Sequence, residues 1–294
     1  MRRIIVNADD FGLTAGVNRG IWEARLRGVV SSTSFIANAS GFDDAVRLAL
    51  KNFGNGHPPM SIGCHIVLVD GRPLLGGEAV ATLLGDEGTG VFRATFFKFG
   101  LSAMGGGLSA KEIEAEATAQ IQKIQRMGIA ISHVDTHKHA HLFPAVIKPI
   151  LRAAKACGIR AIRNPFYTNH FPEFGAVRKN FRLAKRYVQV PLLRRFAVEF
   201  RRMVDAEGLA TTDGCVGVYE PALEGAETLR AVLARVPEGT WELVCHPGYV
   251  DEDLRRVKTR LRESRTAELD LLTSSGVREI FEREGIEIIS YRDL

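Results

Sequence analysis

Short apolar runs alternate along the chain with longer stretches in which apolar residues recur every three or four positions. Eight runs have the length and β-branched content of strands: 3–8, 31–37, 61–67, 131–135, 159–163, 214–218, 240–246 and 286–290. Helical periodicity fills most of the gaps. Residues 15–28 place Val17, Ile21, Trp22 and Leu26 on one stripe. Residues 109–127 open on SAKE, the pattern of a capping box, and run to Gly128. Residues 144–157 start on Pro144 and stop before Gly158. Residues 223–235 and 263–283 are also helical, the second in two pieces around SSG. Alternating strand and helix predicts a parallel sheet. The number of units predicts a (β/α) barrel, TIM-like and distorted, with seven to eight parallel strands in a single domain over residues 1–294. Residues 69–108, rich in glycine, read as a long mobile excursion that covers the barrel mouth.

Several function classes fall away on motif grounds. No GxGxxG follows the first strand, and the glycine-rich segments lack the Lys-Ser/Thr of a phosphate-binding loop. Cys64, Cys157, Cys215 and Cys245 are scattered without a CxxC pair, which excludes a zinc ribbon and a disulfide framework. There is no apolar run long enough to span a bilayer, and the opening IIV is too short for a signal peptide, so a cytoplasmic protein is expected.

The net charge of +5 is concentrated in one place. Residues 178–202 hold nine basic residues and one acidic, Glu199, interleaved with aromatic and aliphatic side chains. Two readings stay open: a basic amphipathic helix, broken near Pro191, that makes a peripheral membrane contact, or an ordinary outer helix of the barrel. Nothing accompanies the charge that would indicate nucleic acid.

The candidate chemistry lies at strand ends, where a barrel carries its functional groups. The first strand ends in Asp9-Asp10, the third carries His65, the fifth ends near Arg163, and the seventh ends in CHPG with His246. Alone, the aspartate pair reads equally as a solvated turn, and His65 as a packing residue. SHVDTHKHAHLFP changes the picture, because it holds four of the eight histidines. In an extended chain His133, Asp135, His137, His139 and His141 share one face, although the segment must leave the strand after Asp135. A face of imidazole and carboxylate suits a divalent metal. One histidine from this run, one from the third strand and one aspartate from the first would form an Asp-His-His set with open positions for chemistry.

The motifs IVNADDFGLTAGVNRGI, SSTSFIAN, GCHIVLVDGRPLL, SHVDTHKHAHLFP and ELVCHPGYVD, with AELDLL and its sequel at the C-terminus, occur in an order that resembles the YdjC-like carbohydrate deacetylases. The sequence is also similar to members linked to hopanoid biosynthesis, which act on a sugar-bearing lipid. The resemblance implies hydrolytic N-deacetylation of an N-acetylated amino sugar, in an N-acetylglucosamine oligosaccharide or glycolipid, with one divalent ion, magnesium or zinc. It implies Asp10, His65 and His137 as ligands, Asp9 as base, His246 as acid, and Arg163 as the residue that orients Asp9. Asp135, His139 and His141 are implied to support these groups or face the substrate. Residues from about 164 to 213 lie outside the resemblance, where substrate choice could be set. The partners expected are the amino sugar, no nucleic acid, the membrane contact as one reading of 178–202, and a homodimer as an open assembly. Two rival functions are a phosphoesterase on the same barrel, which would need a second metal and further carboxylates, and a non-catalytic sugar- or lipid-binding protein.

Overall fold

The computed structural model describes residues 1–52, 60–85, 88–166, 195–217, 223 and 225–294. The strands are β1 (Arg2–Phe11), β2 (Ser32–Phe35), β3 (Ser61–Ile66), β4 (Val134–Thr136), β5 (Ala161–Ile162), β6 (Ala210–Thr211), β7 (Gly214–Val216), β8 (Gly239–Cys245) and β9 (Ile286–Ile289). Their order is β6-β5-β4-β3-β2-β1-β8-β7, and β9 pairs with the first half of β1. Every strand pairing is parallel. Only Thr212 and Asp213 separate β6 from β7, and the Cys215 N–H donates to the carbonyl of Phe166, just beyond β5, at 3.1 Å. The strip from β6 to β7 thus joins the two ends of the sheet, and the molecule is a distorted α/β barrel. The eight expected strands are present. The two-residue β6 is additional, too short to show a periodicity of its own.

The helices are α1 (Ala15–Arg27), α2 (Phe42–Asn52), α3 (Phe96–Met104), α4 (Ala110–Gln125), α5 (Pro144–Ala156), α6 (residues 195–207), α7 (Ala226–Leu233), α8 (Glu252–Arg256), α9 (Glu263–Leu272) and α10 (Val277–Arg283). Thr14 caps α1 by accepting from the Val17 N–H, and Ser109 caps α4 by accepting from the Glu112 N–H. The expected capping box is only half formed. The Glu112 carboxylate turns away to accept from the N–H and hydroxyl of Thr82, at 2.7 and 2.8 Å.

That contact belongs to a larger departure from expectation. The described residues of 69–108 are ordered into a 3-10 segment at Gly77–Leu83, a bridge between Leu84 and Phe92, and α3. Val80, Leu83, Phe92 and Phe99 are buried beneath it. Glu116 of α4 accepts from the N–H groups of Leu74 and Leu75 at 2.8 and 2.9 Å. Buried apolar anchors and satisfied backbone donors hold this segment, although its glycines suggest mobility. Of the basic stretch at 178–202, residues 178–194, including Pro191, lie outside the described residues. The remainder begins α6, whose Phe196 packs on Phe143 and Phe200 on Phe166, as an outer barrel helix does.

The strands face two environments. Ile4, Val6 and Ala8 of β1 point into the main apolar core, whereas Ile5 joins Ala161 and Tyr291 in a small cluster that floors the barrel. Above that floor the interior is polar. Asn7 and Asp9 alternate on β1, Ser32 and Ser34 on β2, and His133 and Asp135 around β4. The His133 ring stacks on Tyr291 with centroids 3.6 Å apart and planes at 11°. It leaves no room opposite, because a Cβ at Gly63 of β3 would lie 2.4 Å from its Cε1. Gly63→Ala should therefore displace His133 and lower stability by about 1–3 kcal/mol, the usual cost of overpacking, read as a lower urea midpoint at unchanged m-value.

Candidate metal centre and active site

At the mouth-side end of β1 the chain turns sharply. Asp10 adopts φ +73°, uncommon for a residue with a Cβ, and this separates two adjacent carboxylates that would otherwise repel. Asp9 turns toward the barrel axis and Asp10 toward β3 and the turn that follows β4.

Asp10 Oδ1 lies 3.6 Å from His65 Nε2 and 3.7 Å from His137 Nδ1. Donors about 2.1 Å from a shared ion stand roughly 3–3.5 Å apart, so these two separations are slightly wider than those of a filled site, and the three atoms, all within 4.8 Å of one another, could close on one divalent cation. The second nitrogen of His65 fixes the ring: Nδ1 donates to Asp135 Oδ1 at 2.8 Å, so Nε2 points to the centre and, in the neutral ring, carries the lone pair. Burial alone would lower the His65 pKa, but the carboxylates of Asp135 and Asp9 outweigh it and raise it to about 9. A buried imidazole so strongly attracted to positive charge fits a cation site. His137 is partly exposed, so the centre opens to the barrel mouth on that side. Asp9, His65 and Asp135 form another close group, but Arg163 already occupies both of those carboxylates, so the first set is the better cradle.

Arg163 is fully buried, and four of its five N–H groups donate to a carboxylate. Nη1 donates to Asp9 Oδ2 at 2.8 Å and pairs with Asp135 Oδ2 at 2.7 Å. Nη2 donates to Asp9 Oδ1 at 2.6 Å and to Glu242 Oε1 at 2.7 Å, and Nε to Glu242 at 2.9 Å. Burial would raise the Asp9 pKa, yet the Arg163 charge prevails and lowers it; the same opposition lowers that of Asp135. Glu242 differs. Burial dominates there and lifts its pKa to about 7, despite Arg163 and a hydrogen bond from the Tyr291 hydroxyl. Asn7 Nδ2 adds a bond to Asp9 Oδ1 at 2.9 Å, and the Ser34 hydroxyl one to Asp135 Oδ2 at 2.8 Å. His246, partly exposed beyond the end of β8, stands with Nε2 at 4.0 Å from Asp9 Oδ2.

The histidine run does not extend as a strand. After Thr136 the chain enters a 3-10 turn, His137–Leu142, in which Lys138 and His139 take φ +56° and +52°. Lys138 Nζ bonds Asp70 Oδ2 at 2.8 Å, tying the turn to the loop after β3. The five residues therefore part company. His133 lies on the barrel floor and Asp135 supports His65. His137 faces the metal centre. His141 is buried between Thr136 Oγ1, at 2.6 Å, and the Arg163 carbonyl, at 3.2 Å, and burial lowers its pKa to about 3. His139 keeps a buried Nδ1 without a hydrogen-bond partner. Sequence reasoning missed Glu242, Arg265, Glu268, Ser34, Asn7 and Tyr291. The alternation of Glu242 with apolar neighbours on β8 could have signalled the first. Arg265 donates to Asp10 Oδ2 from α9, more than 250 residues away in sequence, a contact no local pattern reveals.

The YdjC-like protein family model matches residues 3–283. The chain belongs to the YdjC-like family. Among YdjC-like relatives, a carbohydrate deacetylase of Listeria monocytogenes serotype 4a is 34% identical over 99% of this chain and 100% of its own. One from Brevibacillus brevis is 30% identical over 99% of both chains. Among solved structures, an Enterococcus faecalis V583 protein named for cellobiose-phosphate cleavage superposes with a TM-score of 0.78 at 25% identity, covering 99% of this chain and 98% of that one.

The raised Glu242 pKa gives a test of the buried network. A carboxyl that holds its proton more tightly folded than unfolded contributes stability that is full below its ordinary value near 4.5 and is lost as pH rises through about 7. Glu242→Gln removes that titration. The stability of the variant relative to the native protein should rise between pH 4.5 and 7, by up to about 3 kcal/mol, in urea unfolding at a series of pH values.

Proposed function

We propose that this YdjC-like protein is a metal-dependent N-deacetylase that releases acetate from an N-acetylated amino sugar, with Asp10, His65 and His137 as metal ligands, Asp9 as base and His246 as acid. The observation that carries the reading is the convergence of Asp10 Oδ1, His65 Nε2 and His137 Nδ1 beside the Asp9–His246 pair. The relatives named carbohydrate deacetylase support the sugar as substrate class. A divalent ion, zinc or magnesium, would supply Lewis acidity toward the acetamide carbonyl and make water more acidic.

The chain's own groups divide the proton work. Asp9, kept ionised by Arg163, takes a proton from the attacking water at Oδ2, the oxygen nearer His246. Arg163 also fixes the plane of that carboxylate through two parallel bonds, so the base presents one defined lone pair. His246 gives a proton to the departing amine nitrogen. Asp135 holds His65 in the tautomer that ligation needs, and His141 braces the strand end that carries Arg163. A phosphoesterase of the two-metal type fits less well, because the carboxylates of the second close group are bound by arginine.

The substrate has a second reading, favoured by one surface. Phe97, Leu101 and Met104 are 73%, 52% and 56% exposed on one face of α3. The buried side of α3 rests on Phe143 through Phe99, and Phe143 follows the turn that carries His137. A sugar borne on a lipid would bring an apolar surface to this edge of the mouth.

For the chemistry, His137→Ala should lose both bound metal, by elemental analysis, and acetate release from N-acetylglucosamine oligomers. Asp9→Asn should keep the metal and lose about 10²–10⁴-fold in rate. Metal retained in the first variant, or lost in the second, exchanges the assigned roles. For the substrate, the native protein should co-sediment with anionic vesicles at low salt, and Phe97→Asp with Leu101→Asp should abolish that. Native protein that ignores such vesicles while turning over soluble chitobiose removes the lipid reading.

A further inference from the structure

Asp10 has two carboxylate oxygens, and only Oδ1 faces His65 and His137. Oδ2 is taken by Arg265 of α9, whose side chain is almost fully buried. The guanidinium has little freedom. Nε donates to the Leu261 carbonyl at 3.0 Å, one turn earlier, and Nη1 lies 3.5 Å from the His246 carbonyl. The main chain of the same residue is engaged as well, because the Gly248 N–H donates to the Arg265 carbonyl at 3.1 Å. One turn along α9, Glu268 accepts from the His246 N–H at 2.5 Å. The opposite side of this loop is closed by α1, where a Cβ at Gly20 would lie 2.5 Å from Gly248 Cα. The loop that carries His246 is thus held between two helices, with its N–H and C=O both bound by α9.

We propose that Arg265 is a positioning residue that confines Asp10 to ligation through one oxygen and, with Glu268, fixes His246 relative to that oxygen. The role rests on the ligand set proposed above. A carboxylate free to rotate would offer both oxygens to an ion and fill a position that the acetamide and water need. With Oδ2 held by a planar, rigid donor, Asp10 can give only Oδ1. Neutralising a buried charge would require a cation anywhere nearby, whereas this arrangement places it on the oxygen remote from the histidines.

The experiment uses Co²⁺ as the probe, because its visible d–d bands weaken as the coordination number rises. The native protein should bind one Co²⁺ removable by EDTA, and His137→Ala should not; the opposite result overturns the ligand set and this role with it. With the ligand set upheld, Arg265→Met should bind Co²⁺ with a several-fold loss of d–d intensity. In the zinc- or magnesium-loaded enzyme its kcat should fall by about 10²-fold while KM changes little, since the displaced groups do not hold the sugar. Arg265→Lys keeps the charge without the fork and should show the same weakened bands; it also serves if the methionine variant does not fold. Glu268→Ala should leave the Co²⁺ spectrum native and lower kcat, because it loosens His246 alone. A native spectrum in whichever Arg265 variant folds overturns the proposal.

Discussion

One buried guanidinium organises the interior of this barrel. Arg163 donates four of its N–H groups to Asp9 and Glu242 and forms an ion pair with Asp135, without access to water. Charges in such surroundings are tolerable only when each is paired and hydrogen-bonded. Each carboxylate has a second obligation: Asp9 to the centre beside His246, Asp135 to His65, and Glu242 to Tyr291. Removing the arginine would leave three buried carboxyl groups without a compensating charge, so the geometry of the candidate site and the stability of the barrel share one interaction. The burial of Glu242, which lifts its proton affinity, is the cost that the network bears for placing the other two carboxylates in ionised form.

Much of the fold was legible because its signals are local. Strands such as 61–67 and 240–246 carry the apolar content and length that a parallel sheet demands, and α5 begins on Pro144 as its sequence requires. What escaped was non-local or masked by composition. The glycines of 69–108 suggested a mobile loop, but Val80, Leu83, Phe92 and Phe99 supply enough buried surface to fix it. The site shows the same division. Asp9, Asp10, His65, Arg163 and His246 could be found at strand ends because the barrel architecture says where to look. Asp135 was legible in the histidine run, whereas the inward positions of Asn7, Ser34 and Glu242 follow strand alternation but hide because each strand also has an apolar outer face.

The histidine run shows where periodicity misleads. Read as an extended chain, its alternate residues share a face; in the structure two consecutive left-handed residues, Lys138 and His139, turn the chain instead. The turn gives each ring its own environment, from the stacked floor at His133 to the partly exposed His137. Backbone strain of this kind concentrates where a side chain must be aimed, and Asp10 repeats it across the centre.

The first and last strands of the sheet meet beneath this centre. Strand β9 pairs Ile286–Ile289 with Arg2–Ile5, and Tyr291 then enters the floor to reach Glu242 and His133. On a ribosome the chain emerges from its first residue, so Asp9, Asp10 and later Arg163 are made long before the strand and the ring that complete their support. The floor of the barrel cannot be completed until β9 and Tyr291 have left the exit tunnel. Contacts of such long sequence separation form late and slowly. The charged interior is suited to that delay, because an unfinished barrel lined with ionised side chains remains hydrated where an unfinished apolar one would aggregate.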